Sequence, residues 1–139
     1  MVKAKMLPVA EKLWRELESA HPEWATHQLI LDSGDIEIAI PAPAGSHAGH
    51  LVLFTSHGSD LWLRFAPPQM CYSVDDASEM LQIAEGLLAE RIVFVRITRD
   101  GEWAATTLGR PDEELDLETG QVGEVVSWSG RHDRIVQQR

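Results

Sequence analysis

One cysteine, Cys71, is all the thiol this chain carries. No intrachain disulfide can form, and zinc sites built from several cysteines are excluded. A reducing, cytoplasmic setting is the corresponding expectation. Basic residues are scarce as well, with 12 Lys and Arg against 22 Asp and Glu and a formal net charge of −10. An acidic surface of that size repels phosphate backbones and anionic lipid, so neither nucleic acid nor a membrane is expected as a partner; a basic protein is. Long apolar runs are missing too. The start, "MVKAKMLPVAEKLWRELE", is interrupted by Glu11, Lys12, Arg15 and Glu16, and reads as neither a signal peptide nor a membrane span.

Catalytic signatures are equally sparse. The chain has no G-x-S-x-G elbow, no G-x-x-x-x-G-K-[ST] loop and no G-x-G-x-x-G turn. "SWSG" places Ser127 and Ser129 near His132 and Asp133, but sequence adjacency does not make a triad, and serines beside a terminal strand serve ladders and turns. Cys71 in "QMCYS" has no thiol-protease signature around it and reads as a small buried residue.

What is present is the composition of a globular protein, 44% hydrophobic and 24% charged over 139 residues. That length suits a single domain, residues 1–139. Residues 8–19 put Val9, Leu13, Trp14 and Leu17 at helical spacing behind Pro8, and Pro22 discourages continuation. Trp24 follows in a connection, where it either plugs the core edge or lies exposed as a contact; the plug is the expectation. Ile36, Ile38 and Ile40 alternate with Glu37 and Ala39 as a half-buried strand, preceded across "DSGD" by a strand at Leu29 to Leu31. "PAPAGSHAG" is a loop of the kind that carries binding residues.

A second hairpin spans Leu51 to Phe65 around the "HGSD" turn. Leu51, Leu53 and Thr55 share a face, as do Leu61, Leu63 and Phe65, which leaves Val52, Phe54, Trp62 and Arg64 opposite. "QMCY" reads as one further short strand. "SVDDASEMLQIAEGLLAE" is the clearest helix, with Met80, Leu81, Ala84, Leu87 and Leu88 on one face. Ser73 and Asp76 have capping-box spacing, and Gly86 marks a close approach to a sheet. "RIVFVRIT" reads as a central strand covered on both sides, "RDGE" as a tight turn and "EWAATTL" as its return. A long acidic loop precedes a strand at "EVVSWS", which carries Trp128, and "RIV" closes the chain. The fold class is therefore α+β: a mostly antiparallel β-sheet with two main helices packed on it.

Three histidines, His47, His50 and His57, fall within eleven residues. Along an extended strand His50 and His57 point to opposite faces and stand about 23 Å apart, so they do not share an ion. A metal-dependent or small-molecule enzyme would need His47 and His50 joined by His27 or Asp35, and H-x-x-H alone lacks the helical spacing that makes such motifs specific. No cofactor is expected. The five tryptophans leave two readings open for Trp62 and Arg64, as contact residues or as a second apolar layer beneath a helix. Asp112, Glu113, Glu114, Asp116 and Glu118 form either a solvated loop or a docking surface for a basic protein.

From Gly49 to Gly130 the pattern resembles small bacterial immunity proteins of polymorphic-toxin systems. The resemblance lies in the "LWLRF" strand, the "YSVDDASEMLQIAEGLLAERIVFV" helix–strand unit, the hairpin with Trp103 and the closing "SWSG". It implies a cytoplasmic protein without chemistry of its own that binds a cognate toxin and occludes it. Many such toxins are basic nucleases, which suits the low pI. The expected contacts, Trp62, Arg64 and the five carboxylates, come from the residues themselves. A homo-oligomeric structural domain is a third reading.

Overall fold

The computed structural model describes residues 5–137. Helix α1 (Pro8–Ala20) starts with proline in its first turn, where the missing N–H is no loss, and buries Ala10, Leu13 and Leu17. A short 3₁₀ helix (Pro22–His27) follows and buries Trp24, the expected plug. The chain then runs through β1 (Gln28–Ile30), β2 (Ile36–Pro41), β3 (His50–Ser56), β4 (Asp60–Arg64) and β5 (Cys71–Val74). These pair in sequence order as one antiparallel five-stranded meander. Helix α2 (Ala77–Leu88) leads into β6 (Val93–Arg99), β7 (Glu102–Gly109), β8 (Gln121–Val126) and β9 (Arg134–Gln137). These make a second antiparallel sheet in the order β7-β6-β8-β9.

The α+β class, the antiparallel pairing and the two main helices are as expected; the strands divide into two sheets instead of continuing as one. One reason lies between β5 and β6, where α2 intervenes. It crosses the inner face of the first sheet, and β6 pairs on both sides with strands that follow it. The inner face is the one the alternation marks. Ile36, Ile38, Ile40, Leu51, Leu53, Leu61, Leu63 and Phe65 meet Leu13 and Leu17 of α1 and Met80, Ala84 and Leu87 of α2. Phe94 and Val126 join the same core from one side of the second sheet, with the Phe94 ring edge-on to Phe65 at 4.8 Å. The other side of β6 carries Val93 and Val95, which pack with Val125 in a smaller apolar cluster. So β6 is central and covered on both faces through Val95.

Two local readings shift. The α2 N-cap is Asp76, whose carboxylate accepts from the Glu79 N–H at 2.8 Å, while the Glu79 carboxylate accepts from the Asp75 N–H at 3.2 Å. The capping pair is thus three residues later than Ser73 and Asp76, and Ser73 belongs to β5. Strand β8 ends at Val126, so Trp128 lies in the following turn. Gly86 does mark a close approach: a Cβ there would sit 2.5 Å from Cδ1 of Ile92, where the chain enters β6.

Candidate functional site

Two surfaces follow from the residues singled out in the sequence, and they lie on different sheets. The first is the outer face of the five-stranded sheet. Val52 pairs with Arg64 and Phe54 with Trp62 across β3 and β4. The Phe54 and Trp62 rings are nearly parallel, 12° apart with centroids at 6.4 Å, and the Arg64 guanidinium sits 5.3 Å from the Phe54 centroid. None of Val52, Phe54 or Trp62 belongs to either apolar core, because both helices pack on the opposite face. The side chains here cover one another, leaving Phe54, Trp62 and Arg64 half-buried. Leu29, 55% exposed at the β1 edge, shares the row through Glu37.

The second surface is the acidic connection from β7 to β8. Its carboxylates alternate with leucines, and the leucines hold it down. Leu117 is buried and Leu115 half-buried, both over Gly123 of β8. A Cβ on Gly123 would lie 2.6 Å from Leu115 Cδ1, so glycine lets Leu115 sit this close to the strand, and a larger residue would push that side chain aside. The ends are tied by the Glu113 N–H to Arg110 O (3.1 Å), the Gln121 N–H to Glu118 O (3.0 Å), the Arg99–Glu118 ion pair and the Arg134 guanidinium on Glu113 O. Asp112, Glu114, Asp116 and Glu118 are exposed and Glu113 is half-buried. Alternation in "ELDLE" is the sequence signal for this anchoring.

A groove of about 320 Å³ opens where the loop before β3 meets the β8–β9 hairpin, lined by His47, Glu124, Val126, Asp133 and Ile135 among others. Ser46 Oγ donates to Trp128 O at 2.7 Å and holds the loop there. Glu124 pairs with Arg96, whose guanidinium also donates to Pro68 O at 2.8 Å. Ile135 stands 69% exposed at the groove's rim. Nothing in the sequence places a residue at 47 beside residues 124 and 135, since the approach is made entirely by tertiary packing.

The residues of the enzymatic alternative are not brought together. Asp35 is 5% exposed and accepts from Thr55 Oγ1 (2.9 Å), Ser33 Oγ (3.0 Å) and the Gly58 N–H (3.3 Å), so it fastens two turns together. It precedes β2, whereas His47 follows that strand and His50 opens β3 opposite Pro41, about 20 Å away along the strand. His50 lies on the outer face opposite Pro41, His57 sits in the β3–β4 turn with φ +52°, and His27 is exposed at the end of the 3₁₀ helix. Among the described residues, no three His, Cys, Asp or Glu side chains converge to hold a metal ion. Ser127 is fully buried; its N–H and hydroxyl both donate to Asp133 Oδ1, and its Oγ accepts from the His132 N–H. That is a turn, and the His132 ring takes no part in it. Cys71 is half-buried, on the outer face opposite Arg64.

The fold and these surfaces define an α+β domain that presents an acidic, sheet-anchored loop and an aromatic sheet face. No family model matches the chain, no curated protein matches it, and no solved structure matches it. None of the described helices is long and apolar enough to cross a membrane.

Proposed function

We propose that this chain is a protein-binding domain without chemistry of its own, an immunity protein that neutralises a basic toxin by covering it. The observation that carries this reading is the acidic loop. Leu115 and Leu117 hold its backbone against β8, so Asp112, Glu114 and Asp116 stand out in a fixed array with no ion-pair partner among the described residues. A fixed array of one sign loses little conformational entropy on binding and accelerates encounter with an oppositely charged partner. The net charge of −10 extends the same field over the molecule. Trp62 and Arg64, stacked with Phe54 on the other sheet, are the candidate anchors of a second contact.

The test uses the tagged chain and a variant in which Asp112, Glu114, Asp116 and Glu118 are replaced by their amides. Both are passed over host lysate at low salt. A basic protein retained at 1:1 by the wild type, released by salt and lost from the variant supports the reading. Equal retention by both chains, or retention of an acidic partner, refutes it.

A further inference from the structure

The outer edge of β9 carries the strongest remaining feature of the surface. β9 ends the order β7-β6-β8-β9, and its second edge has no backbone partner among the described residues. Alternate residues of an antiparallel edge strand turn their N–H and C=O outward, a ready template for another strand. The opposite edge, β7, is interrupted: Ile97 pairs with Ala105 and Thr98 with Trp103, which leaves Ala104 as a bulge. Thr106 is also tied to Gln69 O there. β9 pairs in unbroken register with no bulge; its Arg134 guanidinium rests on Glu113 O on the loop side, and its Ile135 is the most exposed large apolar side chain among the described residues.

The two sides of this edge differ. Ile135 pairs with Glu124, so both lie on the side of the second sheet that holds the groove beside His47. Val136 pairs with Gly123, so it lies on the side covered by Leu115, Leu117 and the acidic loop. A strand added outside β9 would run about 5 Å from it and about 10 Å from β8. Its side chains would alternate between the groove on one side and the side of the acidic loop on the other. Charge also decides against a second copy of this chain as the occupant, because pairing β9 with β9 would bring two acidic loops together.

We propose that β9 takes up an extended segment of a basic protein, which joins the second sheet as a fifth strand. One apolar side chain enters the groove of His47 and Ile135, and lysine or arginine at alternating positions faces the acidic loop. This rests on the basic-partner reading above and adds its mode of binding.

The probe is the synthetic peptide Lys-Thr-Lys-Ile-Lys-Thr-Lys, titrated into the full chain while amide exchange of β9 is followed. Two further peptides carry backbone N-methyl groups, one on the lysines and one on the threonines and isoleucine. All three have the same charge, but only one methylated set faces a pairing strand. The expected result is slowed exchange at β9, with one methylated peptide at least about tenfold weaker and the other unchanged. Equal binding by all three, or equal weakening of both methylated peptides, overturns strand addition and leaves the basic-partner reading standing. No binding by any peptide at low salt overturns both. A dimer of the chain alone with protected β9 amides overturns the proposal in favour of self-pairing.

Discussion

The His21 ring stacks on the Trp24 indole, with centroids 3.8 Å apart and planes within 9°, while its Nε2 lies 2.7 Å from the Glu85 carboxylate of α2. Its Nδ1 faces Glu23 at 3.2 Å. One side chain therefore links the end of α1, the 3₁₀ helix and α2 at the margin of the core.

That linkage is pH-dependent. Desolvation is the largest influence on His21 and lowers its pKa, but the Glu85 and Glu23 carboxylates together outweigh it, and the pKa stands above 6.5. A raised folded pKa means the stabilisation is complete below the unfolded value, near 6.5, and is lost as pH rises through the folded one. Chemical denaturation from pH 5 to 9 is expected to show stability falling across that window for the wild type relative to Glu85→Gln. Parallel curves for the two chains would remove His21 from the account.

Asp35 provides a test that does not involve His21. Removing its carboxylate strands the Thr55 hydroxyl and the Gly58 N–H, so Asp35→Ala is expected to cost about 2–3 kcal/mol. Thr55 Oγ1 also accepts the Ile36 N–H at 3.1 Å, which makes the three groups one network. In a double-mutant cycle Asp35→Ala and Thr55→Val should therefore cost less together than the sum of the two. Strict additivity would mean the network is not coupled.

Much of this could be read from the residues. Alternation at Ile36, Ile38 and Ile40 and at Leu61, Leu63 and Phe65 identifies the buried face, because side chains on a strand repeat every second residue. Periodicity carries no information about which strands meet across long separations, so the division into two sheets was not legible. Neither was the approach of His47 to Ile135. "ELDLE" was legible and is easily misread, because its charge hides a period-two pair of leucines. The sequence is ambiguous about the α2 cap for a related reason: both Ser73 and Asp76 are good caps, and the strand β5 claims the first.

Gly86 gives an expectation opposite to helix propensity. Gly86→Ala would gain about 1 kcal/mol in a helix interior. The new Cβ would instead meet Ile92 at 2.5 Å and 2.9 Å, and overpacking of this kind costs about 1–3 kcal/mol. Thermal unfolding should show net destabilisation in the wild type and stabilisation in an Ile92→Ala background. A stabilised single variant would show that Ile92 moves freely aside.

Leu117 separates the charge of the acidic loop from its placement. Leu117→Ala keeps every carboxylate and removes a buried anchor, at a cost of about 2–3 kcal/mol. Amide exchange in residues 112–118 is expected to quicken, and partner association to slow, with net charge unchanged. Association at the wild-type rate would mean that placement of the carboxylates is immaterial.

The most direct measurement is the association rate of the retained partner against ionic strength, for the wild type and for the chain with Asp112, Glu114, Asp116 and Glu118 replaced by amides. The expected result is a steep fall of the wild-type rate with salt, and for the variant a rate about tenfold lower at low salt with a flatter slope. Identical rates and slopes for the two chains would contradict binding through the acidic loop.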